Sequence, residues 1–263
     1  MRNNLVIRTL RATALAAVVS AVGGTSLQAQ ADIVAAAARG STEKGESFSP
    51  ADAAVYRAAI AHRGTKIMVS TTERRLLLVM GRDTVLSVPV AIGMGEDFEY
   101  NGHKFRFETP TGRRRVLKKA ENPVWTVPDW HYMEKAANKG LELIKLKEGD
   151  RVELADSTYI VVEGNQVGRV NRFGNFWPFT PGTEIMFDDK IFMPPMTSDQ
   201  RKVPEALGPF KLELGDGYLI HGTNPYNENS VGQAVSHGCV RMTNGDLDRL
   251  YNMVETGTPV FIY

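Results

Sequence analysis

Residues 236–242 read Ser236-His237-Gly238-Cys239-Val240-Arg241-Met242, and they hold the one cysteine of the chain. A thiol becomes a useful nucleophile when a base takes its proton or positive charge stabilises the thiolate. Arg241 supplies the charge, close to the thiol or to an anionic substrate group. Two histidines are candidate bases: His237, two residues before Cys239, and His221, 18 residues before it. His221 ends the apolar run Tyr218 to His221, which has strand character. The polar loop Asn224 to Val235 that follows is long enough to bring Cys239 back beside it. His221 is therefore assigned as the base and His237 as the poorer-placed of the two. Gly238 lets the backbone approach a substrate closely, so N–H groups around Gly238 and Cys239 are candidates for holding an oxyanion.

The start of the chain gives the lone thiol a context. Arg2, Arg8 and Arg11 precede the short apolar run Ala12 to Val22, and Ala29-Gln30-Ala31 offers a small-x-small cleavage pattern. Residues 1–31 are expected to be a signal peptide that exports the chain to the periplasm or cell envelope and leaves no integral membrane segment. A secreted protein with one cysteine makes no internal disulfide, so its thiol is either a small buried hydrophobe or a reactive group. Removing residues 1–31 takes away three arginines and no acid, leaving 28 basic against 30 acidic side chains. Such a balance argues against a nucleic-acid binder.

Along the rest of the chain, residues 32–64 read as an Ala-rich tether leading into one helix. Ser49-Pro50 is its start and Ala51, Ala54, Val55, Ala58 and Ala59 its apolar stripe. From Lys66 the period is that of strands: Lys66 to Thr71, Arg75 to Met80, Thr84 to Ile92, Lys104 to Glu108 and the basic Arg113 to Lys119. Residues 121–206 are less regular. They read as an insertion with a helix from Pro128-Asp129 to Gly140, short strands around a Gly164-Asn165 turn, and a loop over 172–182. Strand character resumes at Phe210 to Leu214 and Tyr218 to His221. A helix capped by Thr243 or Asn244 runs to Val254, and Thr258 to Tyr263 closes the chain as a strand.

His221-Gly222-Thr223, then Gly232, then Ser236 to Met242 resemble the signature of the L,D-transpeptidases, the YkuD-type domain. Thr109-Pro110-Thr111-Gly112 and the closing Gly257 to Val260 extend the resemblance over about 65–120 and 207–263. It implies a mostly β sandwich- or barrel-like catalytic domain over 65–263, with a few helices and an inserted α+β lobe at 121–206. It implies Cys239 as nucleophile, His221 as base and the Gly222 carbonyl as the group orienting the imidazole. Ser236, His237 and Gly238 would shape the loop and oxyanion site, and Arg241 would stabilise it. The implied substrates are peptidoglycan stem peptides, cut after the third residue and joined to an amine in a 3→3 cross-link, for wall biogenesis and cell shape. Water as acceptor would make an L,D-carboxypeptidase. No cofactor and no metal are implied.

Other readings compete. His221, His237 and Cys239 could hold a metal, or the domain could bind wall without turnover. Arg113, Arg114, Arg115, Lys118 and Lys119 read as a solvated strand face. Trp125, Trp130 and Trp177 read as lobe core before sugar platforms. His62, His103 and His131 receive no role.

Overall fold

The computed structural model describes residues 49–263, so the expected signal peptide 1–31 and the chain up to Phe48 lie outside the described residues. Alternation along three neighbouring strands builds the centre of the domain. Ile67, Val69, Leu76, Leu78, Val260 and Ile262 point to one side, and Met68, Leu77, Val79 and Phe261 to the other. Both sets are apolar, so this sheet is covered on both faces. Its five strands run in the order Asp83–Pro89, Arg75–Met80, Lys66–Ser70, Pro259–Ile262, Gly112–Arg115. The pair Lys66–Ser70 and Pro259–Ile262 is parallel and the others are antiparallel.

The helix Pro50–Ala61 covers the outer face. Ser49 Oγ accepts the Asp52 N–H at 3.1 Å, and Pro50 fills the first helical position, where its missing N–H costs nothing. The buried face centres on Tyr56 and Ala59, with Val55 and Ala58 beside them, whereas Ala51 and Ala54 are exposed. This corrects the expected alanine stripe. The Tyr56 ring, edge-on to Tyr263 at 4.9 Å, buries more apolar area than two methyl groups.

A second sheet, in the order Val240–Arg241, Tyr218–His221, Phe210–Gly215, Lys118–Glu121, packs on the inner face. Leu212, Leu214, Ile220 and Val240 join the central cluster, and the helix Asn244–Met253 adds Leu247 and Leu250. Thr243 caps that helix, its Oγ1 accepting the Asp246 N–H at 3.1 Å. The described residues are thus mostly β, and these two sheets enclose the central core.

Two strand readings need correction. Arg113 to Lys119 is not one strand but two, Gly112–Arg115 in the first sheet and Lys118–Glu121 in the second. Fully buried Val116 makes the corner, donating to Thr258 O at 2.9 Å and accepting from Gly257 N at 2.7 Å. Of the two apolar residues in the basic run, Val116 is drawn into the core and turns the chain there, while Leu117 stays exposed. Thr84 to Ile92 likewise divides into Asp83–Pro89 and Ile92–Gly93, because proline has no N–H to extend a ladder.

Residues 121–206 build their own small core. Leu146, Ile160, Val162, Val167, Ile185 and Phe192 pack between a three-stranded and a four-stranded sheet. Within the expected loop 172–182, Phe176–Pro178 forms an edge strand of the latter. The helix Asp129–Lys139 begins after Pro128 and ends at Gly140, whose φ of 65° is the left-handed closure a glycine takes readily. Fully buried Arg201 anchors its start. The guanidinium donates to the Pro194 carbonyl at 2.7 Å and the Val127 carbonyl at 2.8 Å, and pairs with Asp129 at 2.8 Å. Among the described residues no helix is long and apolar enough to cross a membrane.

Candidate active site

His221 ends the strand Tyr218–His221 and is buried, 5% exposed. Its Nδ1 lies 2.5 Å from the carbonyl oxygen of Gly222. A carbonyl only accepts, so Nδ1 carries the proton and Nε2 is left with a free lone pair. Burial pushes the imidazole down to about 4; the Arg241 charge adds to this, and the Gly222 hydrogen bond opposes it. At neutral pH the ring is therefore neutral, the form a base requires.

Cys239 directly precedes the strand Val240–Arg241, which pairs in parallel with Tyr218–His221 so that Ile220 faces Val240 and His221 faces Arg241. Continued by one residue, that register sets Cys239 beside Leu219, on the same side of the sheet as His221 and Arg241. The thiol is half-buried, with Sγ 3.9 Å from the Gly217 carbonyl. Burial pushes it up from the ordinary thiol value, while a backbone hydrogen bond from Leu219 and the Arg241 charge work the other way. The resting pair is a neutral thiol and a neutral imidazole.

The loop carrying Cys239 is tied on every side. Ser236 Oγ accepts the Gly238 N–H at 3.1 Å and donates to the Cys239 carbonyl at 2.6 Å. Thr109 Oγ1 accepts the Gly93 N–H at 2.8 Å and donates to the Gly238 carbonyl at 2.9 Å, so the Thr109 to Gly112 turn reaches the site. Gly238 has φ +124°, and a Cβ there would stand 2.9 Å from the Glu108 carbonyl and 3.0 Å from the Tyr218 ring. Only glycine fits both the angle and the space. On the other side Ala91 and Arg241 exchange both backbone hydrogen bonds, at 2.8 and 2.9 Å.

Asn244 fixes the His221-Gly222-Thr223 turn. Its Oδ1 accepts the Thr223 N–H and its Nδ2 donates to the Thr223 carbonyl, each at 2.9 Å. A Cβ on Gly222 would fall 2.3 Å from that Oδ1. Arg241 donates from Nη1 to Ser230 Oγ at 2.9 Å, and its Nε is buried with no hydrogen-bond partner. A buried guanidinium N–H without a partner is rare and suits an anionic ligand.

His237 is held apart from the thiol chemistry. Residues two apart in an extended segment share a face, so alternation alone does not remove it from the base role. The turn at Gly238 and its own partners do. Its Nε2 sits 3.1 and 3.3 Å from the two Glu134 oxygens, its ring stacks on Trp130 at 4.2 Å, and Phe107 meets it edge-on at 4.5 Å. Glu134 and Trp130 belong to the helix Asp129–Lys139. Among the described residues no group of three or more His, Cys, Asp or Glu is gathered as a metal site.

The remaining candidates are structural or peripheral. Arg114 stacks on Tyr218 at 4.9 Å and pairs with Asp216 at 3.1 Å; Lys119 donates to the Val254 carbonyl at 2.7 Å. These two are packed, while Arg113, Arg115 and Lys118 are exposed. Trp125 packs in the lobe and Trp177 is 53% exposed on its edge strand. His62 lies by Phe261, His103 by Phe105, and His131 pairs with Glu184 at 3.3 Å. Sequence reasoning missed Thr109, Asn244, Trp130 and Glu134 as parts of the site. Thr109 was visible only as a turn residue and Asn244 only as a helix cap.

Fold and site together define a two-sheet β domain with a cysteine and a histidine on neighbouring strands. The L,D-transpeptidase catalytic domain family, YkuD, matches residues 64–262, and the chain belongs to it. The Bacillus subtilis (strain 168) protein YkuD, named as an L,D-transpeptidase, is 45% identical over 64 residues, 24% of this chain and 38% of the relative. The Escherichia coli (strain K12) protein YbiS, named likewise, is 44% identical over 54 residues, 20% of this chain and 17% of the relative. The matched stretches thus span well under half of these relatives. Among solved structures, the L,D-transpeptidase of Xylanimonas cellulosilytica (residues 123–326) is 17% identical, covering 89% of this chain and 79% of that one, with a TM-score of 0.39. L,D-transpeptidase 3 of Mycobacterium tuberculosis is 13% identical, covering 76% and 61%, with a TM-score of 0.41.

Proposed function

We propose that this protein is an exported cysteine L,D-transpeptidase that acts on peptidoglycan stem peptides in the periplasm or cell envelope. The observation that supports the reading is the parallel strand pairing that brings Cys239 and His221 to the same side of one sheet, with the His221 imidazole hydrogen-bonded to the Gly222 carbonyl. In the reaction, Nε2 of His221 takes the thiol proton as Sγ bonds to the carbonyl carbon after the third stem residue. Amides around Gly238 and Cys239 hold the oxyanion. The carbon–nitrogen bond then breaks, and the terminal D-amino acid leaves with the proton from Nε2. An amine of a second stem attacks the thioester, gives its proton to Nε2 and displaces Sγ, which regains a proton. The product is a 3→3 cross-link.

The neutral resting pair supports proton transfer during attack, in place of a preformed ion pair. Arg241, with its unpartnered Nε, supports an anionic group of the substrate near the thiol. Export rests on the first 31 residues alone. The test is incubation of the purified chain with tetrapeptide stems, with Cys239→Ala and His221→Ala alongside, read by mass spectrometry. Cross-linked dimers from wild type and none from either variant are expected. Tripeptides alone would make the enzyme an L,D-carboxypeptidase, and turnover surviving in Cys239→Ala would overturn the thiol mechanism.

A further inference from the structure

We propose that Glu134 is a positioning residue for the nucleophile loop, so that the 121–206 insertion is a working part of the active site and not an appendage. The proposal rests on the transpeptidase reading above and adds a residue to it. Trp130 and Glu134 stand four apart on the helix Asp129–Lys139 and so share one face. That face meets His237. The Glu134 carboxylate accepts the Nε2–H, Trp130 covers one side of the ring at 4.2 Å, and Phe107 closes on it at 4.5 Å. The Glu134 and His237 side chains are 23% and 30% exposed, too enclosed for a solvent-facing ion pair.

The other restraints on the loop act on its backbone: Ser236 Oγ and Thr109 Oγ1 hold Gly238. His237 is gripped by its side chain, and the hydrogen bond in that grip comes from Glu134, 103 positions earlier in the chain. Behind it, Asp129 at the start of the same helix is locked to buried Arg201. The line from Arg201 through Asp129, the helix, Glu134 and His237 thus ends at the Gly238 turn that aims Cys239. A plain docking contact would only hold the lobe in place. This contact is made one residue from the turn that sets the angle of the nucleophile.

The full mature chain carrying Glu134→Ala, Glu134→Gln or Glu134→Asp tests this. Kinetics with tetrapeptide stems and the rate of Cys239 alkylation by iodoacetamide are the readouts. Glu134→Ala is expected to lower kcat roughly tenfold or more, with KM within about twofold, the size of effect a small misplacement of a reacting group produces. Glu134→Gln keeps an oxygen that accepts the Nε2–H, and is expected to retain more than about half of kcat. Glu134→Asp stops one methylene short and should behave like the alanine variant, which carries the test if Glu134→Ala does not fold. A kcat within twofold of wild type in Glu134→Ala and Glu134→Asp, a loss seen in KM alone, or a loss that Glu134→Gln does not rescue would each overturn the proposal. Should wild type not turn over tetrapeptides, the transpeptidase reading fails on its own. Alkylation then decides for Glu134: slowing in Glu134→Ala and Glu134→Asp but not in Glu134→Gln supports positioning, and equal rates refute it.

Discussion

The His221 imidazole donates its Nδ1 proton to the carbonyl of the next residue, Gly222, at 2.5 Å. A carboxylate in that place would raise the ring's basicity strongly; a neutral carbonyl orients it with less effect on charge. Burial then dominates and holds the ring near 4.

The acid limb of kcat/KM should follow from this. His221 loses its base function only when protonated, so activity is expected to persist at pH 5 to 6 and to fall with a midpoint near about 4. A midpoint at the ordinary histidine value of 6.5 would contradict the burial argument. The same burial lowers stability as pH falls below 6.5, because the unfolded chain binds the proton first.

Arg241 lowers the proton affinity of both His221 and Cys239. Arg241→Met should therefore move the pH profile of Cys239 alkylation and the acid limb of catalysis upward together, each by roughly half a unit to one unit. Alkylation across pH, followed by intact mass, measures the first directly. No shift in either profile would remove Arg241 from the electrostatics of the site.

Gly222→Ala should disrupt the base. A Cβ would lie 2.3 Å from Asn244 Oδ1 and force Asn244 off both polar groups of Thr223. A destabilisation of about 2 kcal/mol is expected from overpacking and lost hydrogen bonds. Asn244→Ala removes the obstructing atom. The double variant should thus be less destabilised than the sum of the singles, as urea unfolding would show.

The lobe should weaken in acid. Burial alone would raise Asp129, but hydrogen bonds from Lys145 and Arg201 and their charges prevail and hold it below the usual carboxylate range. A carboxylate shifted down contributes stability that is complete above its unfolded value and lost as pH falls through the folded one. Arg201→Met leaves Asp129 and two backbone carbonyls without their buried partner. It should cost roughly 3 kcal/mol, the usual penalty for breaking a buried pair, and weaken this pH dependence in denaturant melts without removing it, because Lys145 still bonds Asp129 at 3.0 Å.

Much of the parent domain was legible because its signals are local. Runs of β-branched and aliphatic residues marked Lys66 to Thr71 and Arg75 to Met80, and the spacing Leu247, Leu250, Tyr251, Val254 marked the last helix. The hairpin Glu96–Tyr100 with His103–Phe107 was half seen, since Glu96, Asp97 and Glu99 make its first strand read as polar. The break at Val116 was hidden because Val116 and Leu117 lie between Arg115 and Lys118 in a run that reads as one basic strand.

The sequence by itself determined the residue pair, since Cys239 with Arg241 and His221 with Gly222 are written in two short motifs whose partners are chain neighbours. Tertiary structure alone decided what surrounds them. Thr109 reaches Gly238 across 129 positions, Asn244 reaches Thr223 across 21, and Glu134 reaches His237 across 103. Such contacts leave no periodicity or spacing to read, because they are set by how the two sheets and the 121–206 lobe pack. The candidate nucleophile was therefore visible before the fold, and the residues packed around its loop only after.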